Sequence, residues 1–275
     1  MNNEDFKSLL TIAAKASLEA GKTINKIYEG TDFEVEQKED ETPLTIADRK
    51  SHEIISEYLK DTGFPVLSEE GRDIPYTKRK NWNVFWLVDP LDGTKEFIKK
   101  NGEFTVNIAL INRGEPILGV VFAPYVRDLY FGCKKFGAYK LENISDECCE
   151  FTDLNELMKK GFNLPLTGKH SDFVVVASRS HLNEDTRKYI DSLKKVYGDI
   201  KFISKGSSLK ICMVAEGSAN IYPRFAPTME WDTAAGHAVA VAAGFKVTRK
   251  DEVTPLKYNK EELTNPCFIV KESGL

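Results

Sequence analysis

One short stretch, residues 84–97, constrains the fold of this chain more than any other. It opens with Val84 to Val88, an apolar run with the length and bulky composition of a buried strand. Asp89 follows directly, and because a carboxylate is costly to bury without a partner, we predict that the strand stops there at a polar site. A proline and the turn signal Asp92-Gly93 come next. The sequence therefore predicts a tight loop from which two carboxylates project.

This loop offers the oxygen ligands that a divalent cation needs. Asp89, Asp92 and the intervening carbonyl of Leu91 are hard oxygen donors of the kind that Mg²⁺ prefers. Gly93 lacks a side chain and lets another group approach the backbone closely, and Thr94 adds a hydroxyl. The pattern indicates a magnesium site with a hydroxyl beside it.

The first half of the chain reads as helical at its start and β-rich afterwards. Apolar residues recur at three- and four-residue steps from Asp5 to Tyr28, as in an amphipathic helix, and a second helix begins near Asp48. Residues 64–68 read as a short strand that leads to the acidic pair Glu69-Glu70. Four further β-rich runs predict an antiparallel meander: 104–111, 117–122, 129–132 and 138–141.

The second half alternates strands and helices, which favours an α/β layer. A helix of small apolar residues starts at Trp231 and stops at Gly244, which predicts that it is buried. Asp232 then lies in the interior at the N-terminus of this helix, where it can be the helix cap, a metal ligand, or both. The other predicted strands are 173–177, 200–203 and 219–222, and the other helices run through 189–193 and from 207 to 215.

The chain has 275 residues, enough for one large domain or two smaller packed lobes. Residues 143–172 are polar and irregular around one short helical patch, and we place the boundary near Phe151. This gives an α+β N-terminal lobe, residues 1–151, which carries most of the candidate ligands. An α/β C-terminal lobe, residues 152–275, carries Asp232.

Charge and cysteine content exclude several classes of protein. A net charge of −4 argues against a broad nucleic-acid-binding face, so an anionic substrate must be held by local charge. The 5 cysteines contain no CxxC pair, which argues against a zinc site and a disulfide framework. The first 22 residues mix Glu and Lys with apolar positions, unlike a signal peptide or a membrane span. We expect a cytoplasmic protein with reduced thiols, with peripheral membrane association left open.

Several motifs resemble signatures of the inositol monophosphatase superfamily, whose members are Mg²⁺-dependent, Li⁺-sensitive phosphatases. Residues 89–94, DPLDGT, resemble the family's DPxDGT, and residues 231–236, WDTAAG, resemble its WDxAAG. Glu69-Glu70 precedes the first motif at about the family's spacing, and residues 42–48, TPLTIAD, are similar to its TxAD-type stretch. The resemblance implies the layered αβαβα sandwich of the inositol monophosphatase and fructose-1,6-bisphosphatase type.

The same resemblance implies which residues form the metal site. Two or three Mg²⁺ ions would bind among four acids and one backbone carbonyl: Glu69, Asp89, Asp92, Asp232 and the carbonyl of Leu91. Four acids that converge without cations would repel one another and raise one another's pKa values, and bound metal removes that penalty. Without the resemblance, an acidic pair such as Glu69-Glu70 is typical of a solvated surface.

The resemblance also implies how the attacking water and the phosphate are held. Asp48 and Thr94, with Glu69 and Glu70, would be the catalytic residues that place the water. Backbone N–H groups of Gly93 and Thr94 would hold the phosphate. Without the resemblance, Asp48 is an acid that complements a helix dipole.

The residues outside the metal motifs are similar to the CysQ-type 3′(2′),5′-bisphosphate nucleotidase branch of this family. Residues 92–98, DGTKEFI, differ from the DGTxNF form of inositol phosphatases, and Phe225 stands where those enzymes commonly carry an acid. The implied substrate-binding residues are His181, Ser207, Lys210 and Arg224, beside Asp92, Gly93, Thr94 and Asp232. Taken singly, His181 and Ser207 are more typical of helix caps, and Lys210 is more typical of a solvated helix residue.

The resemblance therefore implies a Mg²⁺-dependent phosphoric monoester hydrolase of sulfur metabolism that uses activated water. Its expected reaction converts 3′-phosphoadenosine 5′-phosphate to AMP and phosphate, and 3′-phosphoadenosine 5′-phosphosulfate is an expected second substrate. One alternative is an inositol monophosphatase or fructose-1,6-bisphosphatase with the same chemistry. Another is a non-catalytic protein that binds metal or nucleotide and acts as a regulator.

Overall fold

The computed structural model describes residues 1–30, 35–37, 43–71, 74–145, 151–166, 172–178 and 183–275. The elements in chain order are α1 (Asn3–Glu29), β1 (Val35–Gln37), β2 (Pro43–Thr45), α2 (Ile46–Lys60), β3 (Val66–Ser68), a 3₁₀ turn (Glu69–Gly71), α3 (Tyr76–Arg79), β4 (Val84–Asp92), α4 (Thr94–Ile98), β5 (Thr105–Asn112), β6 (Glu115–Ala123), β7 (Asp128–Cys133), β8 (Gly137–Leu141), α5 (Leu154–Lys160), β9 (Phe162–Asn163), β10 (Phe173–Ala177), α6 (Glu184–Tyr197), β11 (Ile200–Ser204), α7 (Leu209–Glu216), β12 (Ile221–Arg224), α8 (Glu230–Ala242), β13 (Phe245–Arg249) and β14 (Phe268–Glu272).

The larger sheet has seven strands in the order β3-β4-β5-β6-β7-β8-β9. Strands β3 and β4 pair in parallel, and every later neighbour pairs antiparallel, which confirms the predicted meander. The hairpin between β5 and β6 turns at Arg113 and Gly114, both of which have positive φ, of 50° and 77°. Positive φ at both central residues matches the right-handed twist of paired strands, so this two-residue turn suits the β5-β6 hairpin at the end of β5 away from Asp92.

A helical layer covers each face of this sheet, because successive side chains of a strand point to opposite faces and both faces are apolar. In β4, Trp86 and Val88 pack in the core that α1 and α2 cover, whereas Phe85 and Leu87 pack in a second core with α7 and α8. The smaller sheet, β11-β10-β12-β14-β13, lies beyond α7 and α8. Helix α6 packs on its other face through Ile190. The order of layers is α-β-α-β-α, as expected.

The smaller sheet differs from the prediction in one respect. Strands β10, β11 and β12 are parallel, as alternating strands and helices indicated, but β13 and β14 were not predicted and make the sheet mixed. The larger sheet continues through β9, beyond residue 151. A division of the chain into two lobes at that residue stays a prediction.

The prediction that the central strand stops at Asp89 is wrong, because β4 continues to Asp92. Asp89 pairs with Asn107 and Asp92 with Thr105, so three steps along β4 match two along β5 and the strand bulges. The bulge accommodates Pro90, which has no N–H to give to the ladder. In this buried position, Oδ1 of Asp89 accepts the Leu91 N–H at 3.1 Å.

Helix α8 lies close against the larger sheet because β6 has a glycine where they meet. A Cβ atom on Gly119 would lie 2.3 Å from the carbonyl oxygen of Ala235 and 2.9 Å from the Cβ of Ala238. Gly119→Ala is therefore expected to lower the free energy of unfolding by about 1–3 kcal/mol, measured by urea denaturation. Gly274→Ala, which meets no atom within 4 Å, is the control. Equal stability of the two variants would contradict the close approach of α8.

Candidate active site

Three acids from distant parts of the chain converge at one edge of the larger sheet. Asp89 and Asp92 flank the bulge of β4, and Asp232 lies in the first turn of α8. Each carboxylate offers one oxygen, and these three oxygens lie within 4.8 Å of one another. A single cation can therefore contact more than one of these acids.

A hydrogen bond from the protein orients each of these carboxylates. Oδ1 of Asp89 accepts the Leu91 N–H, Oδ2 of Asp92 accepts the Ser208 hydroxyl at 3.0 Å, and Oδ2 of Asp232 accepts the Met229 N–H at 2.9 Å. Each carboxylate has a second oxygen to offer to a cation. Asp232 is the third residue of α8, and Met229 holds the cap position. The interpretation of Asp232 as the N-cap is therefore wrong.

The pKa values of these acids show how unfavourable their charges are without a cation. Desolvation raises the pKa of Asp89 well above its usual value, and the charges of Glu69, Asp92 and Asp232 raise it further. Desolvation, followed by the charges of Asp92 and Glu69, also raises the pKa of Asp232 well above its usual value. Mg²⁺ offsets both the repulsion and the lost hydration, and it prefers oxygen ligands. The donor set of this site therefore fits Mg²⁺.

Glu69 and Glu70 reach the site from the strand next to β4. Ser68 pairs with Val88, so the 3₁₀ turn after β3 lies beside Asp89. Glu69 lines the same cavity as the three acids, and its charge acts on Asp89 more strongly than any other. Glu70 acts on Asp48, whose pKa its charge raises.

Asp48 and Thr94 are joined by a hydrogen bond. Thr94 begins α4, and its Oγ1 donates to Oδ1 of Asp48 at 3.0 Å, with the Leu91 carbonyl as a second acceptor at 3.2 Å. The other oxygen of Asp48 accepts the Thr45 N–H at 2.8 Å and the Thr45 hydroxyl at 2.5 Å, so Asp48 completes the capping box of α2, in which Thr45 is the N-cap. Desolvation raises the pKa of Asp48, and its bonds to Thr45 oppose that rise. The structural and functional interpretations of Asp48 are therefore compatible.

Gly93 occupies a position that only glycine suits. Its φ of 93° is in the left-handed region, and a Cβ atom would lie 2.9 Å from the carbonyl oxygen of Glu103. Both features disfavour any side chain. The backbone of β4 can therefore turn into α4 directly beside the acids.

Ser207, Lys210 and Arg224 line the same cavity as the acids, and its volume is about 620 Å³. Lys210 is buried, so its interpretation as a solvated residue is wrong. Its Nζ donates to the Ser207 carbonyl at 2.5 Å, and burial lowers its pKa to about 8, against the opposing effect of the Asp92 charge.

Two polar atoms in this part of the cavity are buried without a hydrogen-bond partner among the described residues, the Ser207 Oγ and the Arg224 Nε. Arg224 also donates from Nη2 to the Pro227 carbonyl at 2.9 Å. Buried polar atoms are usually paired, so unpaired ones in a cavity indicate a polar ligand. Ser207 is not a helix cap, since Ser208 holds that position in α7. His181 lies outside the described residues.

Two residues at this site were not predicted. Ser208 bonds to Asp92, and Asn107 of β5 donates to Ser208 at 2.9 Å. Asn107 is a polar residue within a run of apolar strand residues, which is a signal that the sequence contains. Ser208 lies between the predicted residues Ser207 and Lys210 but was not itself singled out. Among the described helices, none is long and apolar enough to cross a membrane.

Comparison with known proteins agrees with this geometry. Residues 5–266 match the inositol monophosphatase family. The 3′(2′),5′-bisphosphate nucleotidase CysQ of Escherichia coli K12 is 45% identical over 256 residues, which cover 91% of this chain and 94% of the relative. The protein of the same name in Salmonella typhimurium is 44% identical over 255 residues, with the same coverage.

A solved structure extends the match to three dimensions. The crystal structure of CysQ from Bacteroides thetaiotaomicron, a bacterial member of the inositol monophosphatase family, superposes with a TM-score of 0.89 and 52% sequence identity. The match covers 97% of this chain and 98% of that one. The chain therefore belongs to the inositol monophosphatase family.

Proposed function

We propose that this protein is a 3′(2′),5′-bisphosphate nucleotidase that hydrolyses 3′-phosphoadenosine 5′-phosphate to AMP and phosphate. The observation that carries the proposal is one cavity lined both by converging acids and by the buried Lys210 and Arg224. A substrate with two phosphates matches this arrangement, because one phosphate can face the acids and their cation while the other pairs with the basic residues. The names of the relatives described above support the same reaction.

The acids would hold the metal. Asp89, Asp92 and Asp232 would bind Mg²⁺, with Glu69 and the Leu91 carbonyl completing sites for two or three ions. When bound, Mg²⁺ neutralises charge on the phosphate, lowers the pKa of a bound water and supports the departing ester oxygen. The hydrogen bonds from Leu91, Ser208 and Met229 hold the three carboxylates in place for this role.

Thr94 and Asp48 would receive the proton of the attacking water. Because the Thr94 hydroxyl donates to Asp48, its oxygen lone pairs remain to accept a hydrogen bond from water. The raised pKa of Asp48 makes it a stronger base than a solvated aspartate. Glu70, whose charge acts on Asp48, would assist, and N–H groups of Gly93 and Thr94 would hold the phosphate.

Lys210, Arg224 and Ser207 would bind the second phosphate. The unpaired Nε of Arg224 and the unpaired hydroxyl of Ser207 offer donors, and the guanidinium fork suits phosphate geometry. His181 stays a prediction as a fourth member of this group. A phosphosulfate in place of the 5′-phosphate carries the same negative charge at this position, so we propose 3′-phosphoadenosine 5′-phosphosulfate as a second substrate. A cytoplasmic location also stays a prediction.

A comparison of three substrates tests this proposal. Phosphate release is measured from 3′-phosphoadenosine 5′-phosphate, inositol 1-phosphate and fructose 1,6-bisphosphate, each with Mg²⁺, without it, and with added Li⁺. We expect a clear preference for the nucleotide, dependence on Mg²⁺ and inhibition by Li⁺. Preference for either sugar phosphate would replace the proposed substrate. Nucleotide binding without phosphate release would indicate the non-catalytic alternative.

Lys210→Ala tests the second phosphate site. We expect the KM for 3′-phosphoadenosine 5′-phosphate to rise about 10- to 100-fold, because a charge-assisted hydrogen bond contributes about 1.5–3 kcal/mol. The KM for 3′-AMP, which has no 5′-phosphate, should change much less. Lys188→Ala, in which an exposed lysine that pairs with Glu184 is removed, is the matched control. Equal changes in KM for both nucleotides would argue against a role of Lys210 at the second phosphate.

A further inference from the structure

The start of α7 is attached to the larger sheet by two side chains from one segment of the chain. Oε2 of Glu103 accepts the Gly206 N–H at 2.8 Å, and Nδ2 of Asn107 donates to Oγ of Ser208 at 2.9 Å. Gly206 has room for no side chain, since a Cβ atom would lie 2.8 Å from the Glu103 carbonyl oxygen. The segment from Gly206 to Ser208 is therefore held tightly against β5.

Ser208 lies where three elements meet. The residue is 2% exposed, and its Oγ lies 3.0 Å from Oδ2 of Asp92 on β4 and 2.6 Å from the carbonyl oxygen of Asp232 on α8. A hydroxyl has one proton, so Ser208 donates to one of these oxygens at a time. Asn107 adds two further hydrogen bonds to this group. Its amide donates to Oγ of Ser208 and, at 3.4 Å, to the same oxygen of Asp92.

We infer that Ser208 and Asn107 are positioning residues that hold Asp92 and Asp232 at the separation a divalent cation requires. Asp92 and Asp232 belong to different elements, and the Ser208 side chain contacts both, at the Asp92 carboxylate and at the Asp232 backbone carbonyl. Removing its hydroxyl leaves Asp92 with its bond from the Ser208 backbone and the longer bond from Asn107, and leaves the first turn of α8 without this link to β4. This inference rests on the metal-binding role proposed above.

The expected effect is on cation affinity and has a simple physical cause. A carboxylate held in place loses little rotational freedom when it binds a cation, whereas a freely rotating one must be ordered first. Loss of a group that orients a metal ligand typically lowers metal affinity by about 10- to 100-fold. The same range is expected for Ser208→Ala.

Mn²⁺ binding tests the inference without using activity. The probe is Mn²⁺ alone, with free ion measured by electron paramagnetic resonance in titrations of the full-length metal-depleted protein. We expect the Kd for Mn²⁺ to rise about 10- to 100-fold in Ser208→Ala, and to rise in Asn107→Leu, which keeps the side-chain size but removes the donors. Ser17→Ala is the control, since Ser17 is buried in α1 and bonds only to the Ala14 carbonyl among the described residues.

The outcomes separate this inference from the proposed function. If wild-type protein fails to bind Mn²⁺, the metal site itself is wrong. If wild-type and Ser208→Ala bind Mn²⁺ within 2-fold of each other, only the positioning role is overturned. Thermal unfolding of the metal-free variants is measured in parallel. A lower midpoint with unchanged Mn²⁺ affinity would show that the two residues only stabilise the fold.

Discussion

Asp92→Asn is expected to lower the turnover number for phosphate release by about 10³-fold or more, while the protein stays folded. Asp92 is one of three acids whose oxygens lie within 4.8 Å of one another. An amide has no charge and binds Mg²⁺ weakly. A metal ion at a phosphoryl group stabilises the transition state by several kcal/mol, and each step of about 1.4 kcal/mol corresponds to a tenfold change in rate. Initial rates at saturating substrate and Mg²⁺ measure this loss.

The fold should tolerate this change because the amide oxygen can still accept the Ser208 hydroxyl. Desolvation raises the pKa of Asp92, so its charged form costs stability in metal-free protein at a pH above the usual aspartate range. Thermal unfolding with a chelator present should therefore show a midpoint no lower than that of wild type. Asp191→Asn, which removes an exposed acid paired with Lys194, is the control for the charge change. Wild-type turnover in Asp92→Asn would falsify the metal scheme.

The central loop illustrates which parts of this site sequence can predict. Asp89 and Asp92 were identifiable as candidate ligands because they follow an apolar run and offer oxygen atoms. The length of β4 was not, since pairing of Asp92 with Thr105 carries the strand past Pro90 through a bulge. That pairing depends on β5, which lies elsewhere in the chain. The residues around Asp92 therefore do not predict this pairing.

Two strands of the smaller sheet and the contacts of Ser208 were missed for the same reason. Strands β13 and β14 are short and carry charged residues, and each is stabilised by antiparallel pairing with a neighbour. Ser208 and Asn107 are ordinary residues in sequence, and only folding brings both to Asp92. By contrast, the helices α1, α2 and α8 were predictable from local patterns of apolar residues, and the layer order was implied by the family resemblance.

Asp48 shows why sequence alone could not choose between a structural and a catalytic role. One carboxylate oxygen accepts bonds from Thr45 and completes the capping box of α2, while the other accepts the Thr94 hydroxyl. The first turn of α2 places Asp48, and the bonds from Thr45 orient its carboxylate toward α4. The same contacts that stabilise the helix start therefore place a hydrogen-bond acceptor beside the Thr94 hydroxyl.

Thr94→Ala and Asp48→Asn are each expected to lower the turnover number by about 10²–10⁴-fold, because general-base assistance to an attacking water contributes that much. The KM should change little, since neither residue is placed at the second phosphate. Thr94→Ser keeps the hydroxyl and is the matched control.

The pair should behave as one unit, because in the proposed mechanism Thr94 passes the proton of water to Asp48 through their 3.0 Å hydrogen bond. Once either member is lost, the other has nothing to act through. The double variant should then be no slower than the slower single variant, as residues that work together are strongly non-additive. Single-turnover measurements of all four proteins provide this comparison. Independent roles would instead make the double variant slower by the product of the two single effects, and that result would separate Thr94 from Asp48 in the mechanism.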